Sequence, residues 1–142
     1  MIALSNAQIL RERGKACQDM SDIRFLAANS GCMSAYPPDK PYVSFCDGEA
    51  KGEFLLGDAS GTIMEEKVNI SILTAEKHGA VYCRRCAERV CVRLMELDEE
   101  SRIISVAAGE AHFDEASGGW RISISLGLRQ QRVSGGDESE NR

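Results

Sequence analysis

The sequence predicts an α+β domain, a mainly antiparallel sheet carrying one long amphipathic helix and one or two N-terminal helices. Three observations lead there. Over residues 67–74, Val68, Ile70 and Ile72 alternate with Lys67, Asn69 and Ser71, the two-residue period of a half-buried strand. From Cys86 the period changes, and Ala87, Val90, Cys91, Leu94 and Met95 fall at the spacing of an amphipathic helix. Past that helix the two-residue period returns, with Trp120, Ile122, Ile124, Leu126 and Leu128 on one face. Strands gathered before and after one helix, without regular strand–helix alternation, favour α+β over a parallel doubly wound sheet.

The first helix starts at Ser5, which with Gln8 three residues on forms a capping box, and Ala7, Ile9, Leu10, Ala16, Cys17 and Met20 suit its buried face. Residues 21–29, "SDIRFLAAN", carry a capping serine and run toward Gly31, which predicts a second short helix, with a strand as the competing reading. Pro37, Pro38 and Pro41 prevent regular hydrogen bonding, so residues 32–42 are loop. Strands follow at 42–46, 53–56 and 67–74. The "GDASG" between the last two is a turn; a phosphate loop would need a Gly-Lys-Ser/Thr that is not there. The long helix spans about 84–99, residues 101–108 are strand, and "EAHF" with "WRISISLGL" form a hairpin around "DEASGG". Residues 1–129 form one domain; 130–142, rich in Ser, Gly and acidic residues without apolar period, are expected to be a disordered tail.

At 142 residues the chain is long enough for a core that needs no staple. The net charge of −5 opposes nucleic-acid binding over the whole surface, and the sparse aromatics, 6%, oppose a base-stacking platform. No signal peptide and no run of apolar residues long enough to span a bilayer is visible, so the expected setting is cytoplasmic and away from membranes. In that compartment the six cysteines are expected as thiols or metal ligands rather than disulfides.

The chemistry-bearing residues cluster at "HGAVYCRRCAERV", residues 78–90. Cys83 and Cys86 form a Cys-x-x-Cys pair, whose two-residue spacer lets both thiolates turn onto one ion. Tetrahedral zinc needs two more donors, and Cys46, Cys32 and His78 are the candidates, with Cys17, Cys91 and His112 behind them. Cys91 lies about 140° around the helix from Cys86 and is placed in the core. Locally, "VYCRRCAERV" resembles the C-terminal half of a treble-clef zinc finger, in which a strand delivers one Cys-x-x-Cys onto a helix N-terminus. The resemblance covers about residues 81–90 and implies that Cys83 and Cys86 are ligands, completed by a second pair upstream. Cys32 and Cys46 are single and 14 residues apart, where that family has a second Cys-x-x-Cys. The order strand, Cys-x-x-Cys, helix is also similar to a thioredoxin-like site, with a thiolate stabilised by the helix dipole and by Arg84 and Arg85. That family has a proline downstream of its thiols, and all three prolines here lie upstream.

Arg85, Arg89 and Arg93 recur at every fourth residue on one helix face, where an anionic partner, an acidic protein surface or nucleic acid, would relieve their repulsion. Glu110, His112 and Asp114 alternate toward one strand face, a carboxylate–imidazole–carboxylate set able to move protons or hold a metal. The function expected first is a small non-enzymatic protein with one structural zinc that binds a macromolecular partner through the arginine helix. Two alternatives stand beside it: a metal-free interaction or regulatory domain with core cysteines, and a thiol-redox or metal-dependent enzyme.

Overall fold

The computed structural model describes residues 5–29, 40–48, 51, 52 and 64–129. The expected strand at 53–56, the turn at 57–61, most of the proline loop, Cys32 and the tail from 130 lie outside the described residues. The architecture is α+β. In chain order come helix α1 (Asn6–Lys15), a 3-10 turn (Gln18–Met20), β1 (Arg24–Phe25), β2 (Tyr42–Asp47), β3 (Lys51–Gly52) and β4 (Met64–Ala75). A second 3-10 turn (Glu76–His78) leads into α2 (Gly79–Glu96), followed by β5 (Ile103–Ala108), β6 (His112–Asp114) and β7 (Gly119–Arg129).

The strands form one sheet in the order β1-β2-β4-β7-β5, with β3 on β4 and β6 on β7. All pairings are antiparallel except β1 with β2. The centre is β4 against β7, in register from Glu65↔Arg129 to Ala75↔Gly119. This pairing lines up two alternating patterns, so Val68, Ile70 and Ile72 meet Leu126, Ile124 and Ile122 on one face. On that face α1 packs mainly on β2 and α2 on β4 and β7, around a core that includes Val43, Phe45, Val90 and Leu94.

Ser5 caps α1 as its spacing predicts, its hydroxyl accepting from the Gln8 N–H at 3.2 Å. Asp47, at the end of β2, accepts from the Ala7 N–H at 3.0 Å and from the Asn29 amide at 2.8 Å. Burial disfavours this carboxylate, but the hydrogen bonds from Asn29 and Ala7 outweigh it and hold its pKa below the ordinary value. One side chain thus satisfies an orphan helix donor and ties α1 to the sheet.

Residues 21–29 are not a helix. The competing strand reading holds at Arg24–Phe25, because Arg24 N–H bonds to Pro41 O and Leu26 N–H to Val43 O. The open edge of β2 supplies partners that local helical propensity cannot match. Phe25 then reaches across to α1, where it explains Gly14. A Cβ on Gly14 would lie 2.5 Å from the Phe25 ring, which is itself stacked on Phe45 at 6.2 Å. Helix propensity favours Gly14→Ala by about 1 kcal/mol, but overpacking costs about 1–3. We expect a net loss of about 1 kcal/mol in urea unfolding, turning into a gain in a Phe25→Leu background. A stabilising Gly14→Ala in the native background would contradict this packing.

The long helix starts five residues before the expected 84, at Gly79, whose φ of +84° turns the chain out of the 3-10 segment. It ends at Glu96 rather than 99, and Asp98 accepts from the N–H groups of Arg102 and Ile103 in the turn to β5. Among the described residues no helix is long and apolar enough to cross a membrane.

Candidate functional site

α2 carries most of the predicted site residues, and its early start reassigns them. Cys83 is the fifth residue of the helix, not a residue delivered onto its N-terminus by a strand. Extending the helix makes Cys83, Cys86, Ala87, Val90 and Leu94 the buried stripe. The stripe read from the sequence was rotated relative to this one: Met95 is 52% exposed and Cys91 sits half-buried at the margin.

Cys83 is fully buried, and its thiol donates to Trp120 O at 3.4 Å and, more weakly, toward Ile72 O at 3.9 Å. Burial pushes its pKa up, against a smaller opposing effect of Thr74. Burial also raises Cys86, beside the Tyr82 hydroxyl and Arg89. These directions are opposite to the thiolate stabilisation that the thioredoxin-like reading requires, because neither sulfur sits at the exposed first turn.

Cys46 lies on β2 opposite Asn69, on the sheet face away from the helices, since its neighbours Phe45 and Asp47 point toward them. The sheet therefore separates Cys46 from Cys83 and Cys86. His78 is exposed, its ring against Tyr82 at 4.5 Å. Cys17 accepts from the Arg93 guanidinium at 3.7 Å. Among the described residues no three His, Cys, Asp or Glu side chains are placed to hold a metal. Among the described residues, Cys83 and Cys86 are the two expected zinc donors that the fold brings together, and both are buried in the core.

Burial, with a smaller effect of Glu88, pushes the Cys91 thiol up to about 11 from an ordinary 9.0. A thiol that holds its proton more tightly when folded contributes fully below about pH 9, and that contribution is lost as pH rises through 11. Cys83 and Cys86 act in the same direction. Stability should fall on going from pH 8.5 to 11, Cys91 alone accounting for about 2 kcal/mol. Urea unfolding of Cys91→Ala should show a shallower alkaline loss, and an identical loss would remove Cys91 as a cause.

The arginine file divides. Arg89 bonds Asp22 at 2.7 Å. Arg93 reaches Asp19 at 3.4 Å and Glu96 at 2.8 Å. Both clamp the first 3-10 turn and its neighbour Asp22 onto α2. Glu96 is the partner that helical spacing offers Arg93, whereas Asp22 and Asp19 come from far along the chain and spacing alone does not reveal them. Arg84 pairs loosely with Glu88 at 3.9 Å. Arg85 stays exposed on the outer face, and the side chains sharing that face at helical spacing include Val81, Val92 and Met95, all more than half exposed.

The hairpin set does not converge either. Asp114 accepts from Ser117 at 2.7 Å and from Arg121 at 3.0 Å, which holds its carboxyl below the usual range and fixes the hairpin turn. His112 lies opposite Arg121, and Glu110 stands in the loop before β6. Glu110 lines a groove of about 390 Å³ with Gly109, Ala111 and, from α2, Ala80, Val81 and Arg84.

The strand expected at 101–108 is present as β5, Ile103–Ala108. Its residues after Ile103 are exposed on both faces, with Ile104 at 44% and Val106 at 42%. The run "IISVAA", apolar with no charge to break it, predicts a strand but not its exposure.

No protein-family model and no curated protein matches the chain. Among solved structures, a chain of the "Virion of native gene transfer agent (GTA) particle" is similar at 17% identity, with a TM-score of 0.51. The match covers 88% of this chain and 98% of that one, and at this identity what the two share is the fold.

Proposed function

We propose that this chain is a non-catalytic structural subunit of a virion-like particle, held to its neighbours by protein–protein contacts. The observation that carries this is the likeness in fold to a virion chain over nearly the whole length of both. The surface supports it: among the described residues, the large hydrophobic side chains left exposed lie on the outer face of α2 and on the β5–β6 rim, as Val81, Val92, Met95, Ile104, Val106 and Phe113. Arg85 adds one cation to this apolar α2 surface, and the sparse aromatics of the chain offer no base-stacking platform that would favour nucleic acid over a protein partner. No step of this function calls on a metal or a reactive thiol.

Mass spectrometry of particles banded from an induced culture of the source organism tests the proposal. The chain should be a stoichiometric component, and replacing Val92 and Met95 with glutamate should deplete it from particles while leaving its unfolding midpoint unchanged. A chain found only outside purified particles would defeat the proposal.

A further inference from the structure

We infer that the outer face of α2 docks on the same face of a second copy, the two helices antiparallel about a two-fold axis between Cys86 and Ala87. The inference rests on the particle reading only in taking this face as a contact surface. Its partner and register come from the helix itself.

α2 carries two patterns on opposite sides. Cys83, Ala87, Val90 and Leu94 face the core and are buried. On the other side Val81, Arg85, Glu88, Val92 and Met95 are all exposed, and their numbers step by four, three, four and three. That alternation is the seven-residue repeat of a coiled-coil seam, along which a second helix lies at a shallow crossing angle of about 20°. The seam runs most of the length of the 18-residue helix, and the contacts of α2 with β4, β7 and α1 leave it open.

The two charges at its centre identify the occupant. Arg85 has no ion-pair partner among the described residues. Glu88 pairs loosely with Arg84 at 3.9 Å, the side chains 65% and 62% exposed, so its carboxylate stays accessible. Two antiparallel copies of the seam mesh in registers one heptad apart. Centred on Val90, the pairing buries Arg85 against Met95 and Glu88 against Val92. Centred on Cys83, it sets Val81 against Arg85 and leaves Val92 and Met95 uncovered. Centred between Cys86 and Ala87, it sets Arg85 opposite Glu88 and Val81 opposite Val92, each pair made twice. A parallel pair in register would instead set Arg85 against Arg85 and Glu88 against Glu88. One arrangement thus matches charge with opposite charge and apolar with apolar, as an isologous contact requires.

Sedimentation equilibrium of the full chain provides the test. So short a seam buries less than a standard interface, and a dimer with a Kd of roughly 10–100 µM is expected. Val92→Lys should be monomeric throughout. At about 1 µM, where both proteins are monomers, it should keep the native circular dichroism spectrum and thermal midpoint, since Val92 is exposed in the single chain. Arg85→Glu and Glu88→Arg should each weaken the dimer about tenfold, because two attractive pairs become repulsive. The double exchange, Arg85→Glu with Glu88→Arg, should return Kd to within about threefold of native. A native chain still monomeric at roughly 500 µM, the outcome if the seam serves a different protein, would overturn the inference. So would a dimer that survives Val92→Lys, a double exchange that restores nothing, or a dimer broken instead by Val106→Lys on β5. A dimer absent from particles would defeat the particle reading alone, and a monomer present in them would defeat this inference alone.

Discussion

Replacing Phe45 with alanine is expected to destabilise the chain by about 3–5 kcal/mol, the largest effect of any substitution considered. Phe45 is fully buried, lies opposite Ile70 in the β2–β4 ladder and stacks on Phe25. Its removal leaves a cavity bounded by elements that cannot close on it. β2 is held on one side by six pairings to β4 and on the other by β1. α1 is fixed over it by the Asp47 bond to Ala7 and by Arg11, which donates to Leu26 O at 2.9 Å. Because the unfolded surface is almost the same in the variant, the urea midpoint should move while the slope stays constant. A loss below about 1.5 kcal/mol would mean that the site collapses and the packing argued here is too rigid.

The second large effect falls on Gly119, the first residue of β7. A Cβ there would lie 2.3 Å from the carbonyl oxygen of Thr74, on the neighbouring strand β4. Thr74 is fully buried and sits within the register Thr74↔Trp120, so its backbone has no direction in which to yield. Gly119→Val should cost about 3 kcal/mol, and Gly119→Ala nearly as much, because the first carbon already collides. Gly127 provides the contrast. A Cβ at Gly127 meets the Glu65 carboxylate and the Ser105 hydroxyl, the far ends of side chains that can rotate away. Thermal unfolding of Gly119→Ala and Gly127→Ala side by side checks the distinction. Equal losses would show that backbone and side-chain obstacles are not being told apart.

Much of the fold was legible because periodicity reports which side chains share a face. Val68, Ile70 and Ile72, and Ile122, Ile124, Leu126 and Leu128, are buried on one face as their alternation requires. The Ser5 cap holds because the hydroxyl and the N–H it satisfies are three residues apart. Elements that failed did so through distant partners. "SDIRFLAAN" reads locally as a helix, and becomes strand at Arg24–Phe25 because β2 offers Pro41 O and Val43 O.

The candidate site was less legible, for the same reason. Cys83-x-x-Cys86 has the spacing of a metal clasp and equally the spacing of two residues on a helical stripe, and the helix boundary at Gly79 chooses between them. Arg89 has no acid at helical spacing, and its partner Asp22, like Asp19 beside Arg93, lies more than sixty residues away in sequence.

By itself, then, the sequence determined the α+β class, the strand faces and the presence of one long amphipathic helix, all properties of neighbours along the chain. Tertiary structure decided that Cys83 and Cys86 are core groups, that two arginines of α2 clamp an earlier turn, and that among the described residues an apolar strand ends the sheet. Each of those depends on which distant backbone or carboxylate arrives alongside, and burial, hydrogen bonding and charge pairing act between the groups that meet in space.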